Sequence, residues 1–498
     1  MLRQGKVTCG ELATHIQGYL VGESSIRLHG VTHDSRQVRQ GDLFVCISGA
    51  RYDGHDYAAE AVAKGAVALV VGRILPLPVP QIAVSYPRRV LGKAAALVWG
   101  YPSRSLRVIG VTGTKGKTTT TYLIRHLLES AGKRSGLIGT IEQVAGRQML
   151  PSARTTPEAS DIQALLSAMV EASWNAVVME VSSHATEMHR TEGTEFDVVV
   201  FTNITRDHMD FHPSFEHYLQ AKTRLFAQVA TEATKGDKVA IVNVDDPHWR
   251  EFAQAARVPL VTIGLVNKAD LQADDVEVSA NGVSFRVGDL PLSLQLTGRF
   301  NVYNALCALA AAQNEGISLE MGARALEQVS GVPGRFERVD VGQDFAVIVD
   351  YAHTEDSLRN VLTTARSLGP GRVISVCGAG GDRDRGKRPL MGQALAELSD
   401  YVVITSDNPR SESPEQICED VVKGVKAAQM GASRYEVIVD RRQAIERAVD
   451  IAKPGDVVLI AGKGHETYQQ FADHQIHFSD REEARAALEK RMYAGSTD

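Results

Sequence analysis

The sequence predicts an α/β protein of about three domains, built on parallel sheets with crossover helices. Apolar, β-branched runs alternate with helical stretches from about Leu106 to Gly334, and again beyond Arg335. One such run, Val108 to Thr112, passes directly into the glycine-rich turn Gly113-Thr114-Lys115-Gly116 and then into Lys117-Thr118-Thr119. A chain of 498 residues is also more than one ordinary core accommodates. The expected divisions are a small α/β module over 1–105, a phosphate-loop parallel-sheet domain over 106–334 and a further α/β domain over 335–498.

Composition narrows the class. With 44% hydrophobic and 23% charged residues the chain reads as soluble and globular. The net charge of -6 provides no polybasic footprint, so no nucleic-acid partner is expected and any anion must be held locally. Five cysteines (Cys9, Cys46, Cys307, Cys377, Cys418) are scattered without Cys-x-x-Cys or zinc-like spacing and read as reduced, buried thiols. The N-terminus lacks a charged-then-apolar signal, and the richest apolar run, around Gly65 to Val71, is far short of a membrane span. A cytoplasmic location without a membrane partner is expected.

The first hundred residues alternate short strands and turns, Val31 to Arg36 and Gly41 to Gly49, followed by a helix over Tyr57 to Lys64. Pro76, Pro78, Pro80 and Pro87 mark loops, and Tyr101-Pro102-Ser103 reads as a linker. No catalytic group stands out here, which suits a binding module.

The phosphate loop is a variant. Usual spacing would place a glycine at Val111, whereas this chain offers Gly110 and Gly113. Its chemistry is still that of a phosphate cradle. Glycines let backbone N–H groups approach phosphate oxygens, Lys117 reaches the outer phosphates, Thr118 can meet magnesium, and a helix over Thr119 to Glu129 presents its positive N-terminus. The implied cargo is a nucleoside triphosphate, and these residues alone leave ligase and generic ATPase both open.

Ligands of open α/β sheets sit beyond the carboxyl ends of strands, so polar strand ends locate the site. Ala176 to Met179 leads into Glu180-Val181-Ser182-Ser183-His184, Val198 to Thr202 into Asn203 to His208, and Val239 to Val242 into Asn243 to Asp246. Glu180 suits a hard cation such as magnesium, with His208 as a second ligand; the competing reading of Glu180 is a helix cap.

The last domain has equally loaded strand ends: Asp350-Tyr351-Ala352-His353 after Val347 to Val349, Cys377 to Asp384 after Val373 to Val376, Ser406 to Arg410 after Val402 to Thr405, and Ala461 to Glu466 after Val457 to Ile460. The Gly378 to Gly381 run lacks the Gly-x-Gly-x-x-Gly order and its later acidic residue, which argues against a nicotinamide site. A charged helix over Arg481 to Met492 and a frayed Ala494 to Asp498 should close the chain.

An ordered set of motifs runs through all three divisions: Gly113 to Thr119, Thr155-Thr156-Pro157, Glu180 to His184, Asn203 to Asp210, Ala221 to Arg224, Asn301 to Asn304, Gly334 to Glu337, Asp350 to His353, Gly381 to Pro389, Asp407 to Arg410, and Gly462 to Glu466. Together they resemble the Mur ligases, relatives of the folylpolyglutamate synthetases, and among them the type that adds the third amino acid of the peptidoglycan precursor. The resemblance implies a UDP-substrate domain, a central ATP-binding domain and a C-terminal Rossmann-like domain that brings the amino acid, in a monomer.

The implied reaction is ATP-dependent addition of meso-2,6-diaminopimelate to UDP-N-acetylmuramoyl-L-alanyl-D-glutamate (UDP-MurNAc-dipeptide). By position, His33, Ser35, Ala50, Arg51 and Tyr52 would contact UDP, and Thr155, Thr156, Ser182, Met188 and Arg190 the muramoyl-peptide. ATP falls to Gly113, Thr114, Lys115, Gly116, Lys117, Thr118 and Thr119, with Asn304, Arg335 and Asp350 matching the adenine, phosphate and ribose contacts. Catalysis is assigned to Lys117, Glu180, His208 and Lys222, and magnesium to Thr118, Glu180, His208 and Lys222 once carbon dioxide has carbamylated that lysine. The incoming amino acid falls to Arg383, Asp407, Asn408, Pro409, Arg410, Gly462 and Glu466, with Arg410 gripping the distal carboxylate that distinguishes diaminopimelate from L-lysine. Two positions depart from the family pattern: Met188 stands where glutamine is common, and Glu355 where proline often follows His353-Thr354.

Overall fold

The computed structural model describes residues 7–49, 52–146, 148–152, 154–231, 234–279 and 282–495. It divides into two compact units, Met1–Gln272 with Tyr303–Gly322, and Ala273–Val302 with Ala323–Asp498.

The first unit contains two sheets on either side of residue 105. The smaller runs in the order Tyr19–Val21, Gln81–Ala83, Ala68–Val71, Asp42–Val45, Gly30–Thr32, parallel except at the Tyr19–Val21 edge. Its core includes Leu12, Leu43, Val45, Val70, Ile82 and Leu91, and Ala159 of the helix Ala159–Glu171 joins that core from beyond residue 105. The expected linker is packed: Tyr101 takes a left-handed conformation, Pro102–Ser105 forms a 3-10 turn, and buried Ser103 accepts the Glu195 N–H through its hydroxyl at 3.1 Å.

The second sheet carries the phosphate loop. Arg107–Thr112 is central, flanked in parallel by Ala176–Glu180 and Val198–Phe201; Val239–Asn243 and Leu260–Gly264 extend it on one side and Ser135–Ile138 on the other. Both faces are buried, as a parallel sheet requires: Val108, Val177, Met179, Val199 and Phe201 join a core with Leu166, Leu225 and Phe252, while Ile109, Val111, Val178 and Val200 are inaccessible too. Gly110 belongs to the strand, where a Cβ would come within 2.7 Å of Phe196, so it is a packing glycine and has no part in the cradle.

Expectations of an all-parallel central region fail at two places. Glu142–Ala145 and Gln148–Pro151 make an antiparallel hairpin at one edge. In the second unit, Leu271–Ser279, Gly282–Val287 and Leu290–Leu294 form an antiparallel meander over Ala273 to Leu294. Alternation there, with Phe285, Leu292 and Leu294 buried between exposed neighbours, marks strands with one solvated face.

The principal sheet of the second unit runs Glu337–Arg338, Ala346–Asp350, Val457–Ala461, Val373–Cys377, Tyr401–Ile404, Tyr435–Val437, parallel apart from the first pair. Alternate residues face two cores: Val347, Val349, Ile374, Val376, Val458 and Ile460 pack with the helices Arg441–Ile451 and Asp480–Gly495, while Ile348, Val373, Cys377, Leu459 and Ala461 pack with Glu355–Arg366, Lys387–Leu398 and Pro414–Ala427. This doubly wound arrangement agrees with the Rossmann-like expectation. The last helix continues through Ala494 to Gly495 instead of fraying at Ala494; 496–498 lie outside the described residues. All five cysteines are buried and unpaired, and among the described residues no helix is long and apolar enough to cross a membrane.

Candidate active site

The phosphate loop is braced from the neighbouring strand end. Asn203 accepts Thr114 N–H on its carbonyl at 2.8 Å and Lys115 N–H on its side-chain oxygen at 3.0 Å, while Thr202 donates its hydroxyl to Lys115 O at 2.6 Å. Gly113 and Gly116 have φ of +153° and +84°, and side chains there would collide with Thr202 and Asn304 respectively. The helix begins at Lys117, two residues earlier than the sequence suggested, and runs to Ser130 with no side chain capping its start. The start of this helix carries the positive potential that anion binding requires. Asn304 is buried against this turn and its Oδ1 accepts the Thr120 hydroxyl at 3.3 Å.

Two lysines converge on the loop. Lys117 folds back to donate to Gly113 O and Thr114 O, each at 2.9 Å. Lys222, on the helix Phe215–Thr231, is 1% exposed, donates to Gly113 O at 2.7 Å and lies 4.7 Å from the Tyr218 ring centre. Burial, reinforced by the Lys117 charge, holds the Lys222 amine well below the usual lysine range.

Glu180 ends its strand at 1% exposure. Its Oε2 accepts the hydroxyls of Thr118 and Thr140, each at 3.0 Å, and Oε1 accepts Thr140 N–H at 2.7 Å. Glu180 is not the helix cap; that role belongs to Ser182, whose hydroxyl accepts Ala185 N–H at 3.2 Å. Carboxylate and hydroxyl oxygens fit a hard cation such as magnesium. His208 has a φ of +57° and its ring meets that of His184 at 4.9 Å; burial lowers its pKa, with Lys117 and Lys222 adding to the effect. Among the described residues no group of three or more His, Cys, Asp or Glu is disposed to hold a metal. The oxygens of Glu180 and Thr118 lie side by side at the strand end, 3.0 Å apart.

Sequence reasoning named His184 in a strand-end motif but gave no role to the histidines behind His208. His184 stacks on Phe211 at 4.1 Å, and burial, with His208 and His212 nearby, pulls its pKa down to about 4. His212 is fully buried between the Ser183 hydroxyl at 2.9 Å and His217 at 3.0 Å. These contacts fix the loop that carries His208, and the spacing of histidines in Asp207 to His217 was the available signal.

Residues expected at the UDP and peptide end are partly drawn together. His33 Nδ1 lies 3.0 Å from Ser160 Oγ, Ser35 is buried and Tyr52 is exposed, whereas Ala50 and Arg51 lie outside the described residues. Thr156 donates to Glu180 O at 2.8 Å and accepts Ser182 N–H at 3.1 Å, and Thr155 accepts the Thr140 hydroxyl at 3.1 Å. Arg190 donates to Thr156 O at 3.2 Å and meets the Met188 sulfur at 3.3 Å, so the methionine still touches the expected substrate arginine. Glu158, missed by sequence reasoning, gathers Arg88, Arg154 and Arg190 at 2.9, 2.6 and 3.1 Å. Burial pushes its carboxyl up, but Arg190 and Arg88 outweigh that and leave it lowered.

In the second unit the expected amino-acid residues share one sheet edge. Arg410, at φ +52°, donates from Nη1 to Gly381 O at 2.7 Å. It does not pair with Glu412, which is taken by Arg388 at 2.8 Å and Arg385 at 2.9 Å. Asn408 donates to Glu466 Oε2 at 2.8 Å, Asp407 Oδ1 accepts Asn408 N–H at 2.6 Å, and a Cβ on Gly462 would stand 2.7 Å from Asp407 Oδ2. Pro409 O lies against Gly381, while Arg383 donates to Asp382 O at 3.3 Å from an exposed loop. Asp350 is buried, accepting Phe336 N–H and Ala352 N–H at 2.7 Å each, and desolvation raises its pKa. The Arg335 guanidinium lies 4.9 Å from the Tyr351 ring centre. Missing from the expected set is Lys463, buried beneath Asn408 and Glu466.

Three family models cover most of the chain: "Mur ligase family, catalytic domain" at residues 27–97, "Mur ligase middle domain" at 111–312 and "Mur ligase, glutamate ligase domain" at 334–464. The chain belongs to the Mur ligase family. It is 46% identical over 471 residues to a UDP-N-acetylmuramoyl-L-alanyl-D-glutamate--2,6-diaminopimelate ligase of Syntrophomonas wolfei, covering 93% of this chain and 95% of that one. A ligase of the same name from Geobacillus kaustophilus is 46% identical over 486 residues, covering 96% and 99%. A solved structure of a protein so named superposes with a TM-score of 0.68 at 32% identity, covering 98% and 99%.

Proposed function

We propose that this protein is an ATP-dependent amide-forming ligase that adds meso-2,6-diaminopimelate to UDP-N-acetylmuramoyl-L-alanyl-D-glutamate. The observation that carries the reading is the convergence of Lys117, Lys222 and an uncapped helix N-terminus on the Gly113 to Gly116 turn. Near-full-length similarity to diaminopimelate ligases supports the choice of substrates. Three functional divisions, 1–105, 106–334 and 335–498, would serve UDP, ATP and amino acid, and we assign the protein to the cytoplasm as a monomer without nucleic-acid or membrane partners.

A carboxylate is a poor acylating agent, so it is activated first. The D-glutamate γ-carboxylate oxygen bonds to the γ-phosphorus of ATP as the bond to the bridging oxygen breaks, giving an acyl phosphate and ADP. The diaminopimelate amine then bonds to the acyl carbon, inorganic phosphate leaves, and the amine gives up a proton. The protein supplies no nucleophile; it aligns reactants and stabilises charge. Lys117 and the helix N-terminus neutralise the phosphates, with Gly113, Thr114, Lys115, Gly116, Thr118 and Thr119 lining them. Glu180, Thr118, His208 and Lys222 as its carbamate are the residues we assign to magnesium, which supplies further phosphate charge neutralisation when bound. A buried, neutral amine is the form that reacts with carbon dioxide, and the depressed pKa of Lys222 supports that modification. Arg190 with Thr155, Thr156, Ser182 and Met188 would hold the muramoyl-peptide, His33, Ser35 and Tyr52 the uridine end, and Asn304, Arg335 and Asp350 the rest of ATP.

The test is ADP release from purified protein with each substrate omitted in turn. Turnover should require the UDP-linked dipeptide and the amino acid together. Free ATP hydrolysis with neither would sink the ligase reading in favour of a non-ligating ATPase, and turnover with folate and glutamate would favour a folylpolyglutamate synthetase.

A further inference from the structure

Lys463 carries its side chain into the floor of the second unit's sheet edge and is fully buried. The chain folds it inward because it lies between two glycines of positive φ, Gly462 at +122° and Gly464 at +52°. Side chains at those positions would come within 2.7 Å of Asp407 Oδ2 and of Tyr351 Cβ, so the local sequence Gly-Lys-Gly admits only one side chain, and that one points in. A buried ammonium is costly unless paired and hydrogen-bonded. Here Nζ donates to Asn408 Oδ1 at 3.1 Å and to Glu466 Oε2 at 3.1 Å, with the Tyr468 ring centre 5.4 Å away.

These contacts determine how two neighbouring side chains present themselves. Asn408 Oδ1 receives both Lys463 Nζ and Gln470 N–H, the latter at 2.9 Å. Two donors on that atom force the amide nitrogen to the opposite side, where Nδ2 donates to Glu466 Oε2 at 2.8 Å. Glu466 is thus held through Oε2 by Lys463 and Asn408 together. We propose that Lys463 is a positioning residue for the incoming amino acid: by anchoring Glu466 Oε2 and fixing the Asn408 amide, it turns Glu466 Oε1 toward the ammonium group of that substrate. The inference rests on the ligase reading, in that Glu466 faces the distal amine of diaminopimelate.

The experiment is steady-state kinetics of the full-length enzyme carrying Lys463→Met, Lys463→Gln, Glu466→Gln and the double substitution K463M/E466Q, with melting temperatures measured alongside. Activity of the unmodified enzyme on diaminopimelate is the control, and its failure would overturn the ligase reading separately. Lys463→Met should raise the amino-acid KM by roughly tenfold or more, as loss of charge-assisted contacts implies. The KM for ATP should rise much less, since the side chains that Lys463 holds, Asn408 and Glu466, are assigned to the amino acid and not to ATP. Lys463→Gln, which retains a donor, should fall between, and keeps the test alive if the methionine variant is unstable. Because Lys463 acts through Glu466, the double variant should be no worse than Glu466→Gln alone. An unchanged amino-acid KM, equal rises in every KM, or full additivity with Glu466→Gln would overturn the proposal.

Discussion

Lys117 and Lys222 donate to the same carbonyl oxygen, that of Gly113, at 2.9 and 2.7 Å. Burial of Lys222, reinforced by the Lys117 charge beside it, holds its amine well below its ordinary pKa. Lys222→Ala should therefore be nearly inactive while remaining folded, with partial recovery on adding short carboxylic acids that replace the carbamate oxygens. Full activity of that variant would refute the carbamate assignment.

Gly116 tests the cradle. At φ +84° it opens the phosphate-loop helix with its Cα facing Asn304 Oδ1. A left-handed L-residue costs about 1–2 kcal/mol, and displacing Asn304 adds to that. Gly116→Ala should raise the ATP KM by on the order of tenfold or more, leaving the amino-acid KM much less affected, by the same energetic scale. Equal rises in both would mean that the turn is structural only.

Arg410 tests amino-acid choice. Its guanidinium is anchored by Nη1 to Gly381 O, leaving a planar fork suited to a carboxylate. Arg410→Ala should raise the diaminopimelate KM far more than that of ATP, costing about 2–4 kcal/mol. The unmodified enzyme should strongly prefer meso-diaminopimelate to L-lysine, and efficient use of lysine would cancel this role while leaving the ligase chemistry in place.

Glu412 tests stability against pH. The hydrogen-bonded Arg388 guanidinium brings its carboxyl from 4.5 down to about 2. A depressed carboxyl stabilises the fold above the unfolded pKa and loses that contribution as pH falls through the folded value. Glu412→Gln should lower the melting temperature at neutral pH, and the gap to the unmodified protein should shrink between pH 4.5 and about 2. A gap that is constant with pH would exclude the carboxylate–Arg388 pair as its cause.

Much of this protein was legible in its sequence because strand–turn–helix patterns act locally. A β-branched run into glycines, lysine and threonine sets out a phosphate-loop pattern within about a dozen residues, and four polar strand ends mark the edge of the second unit's sheet to which we assign amino-acid binding. The antiparallel meander over 273–294 was not legible in that way, since short apolar runs carry no pairing direction. Tertiary structure alone decided which charges meet. Glu158 draws Arg88 from 70 residues away, Lys222 reaches Gly113 across 109, and Lys463 finds Asn408 across 55. Burial then set their chemistry: a lysine cannot be told from a solvated cation until the fold removes its water and names its acceptors.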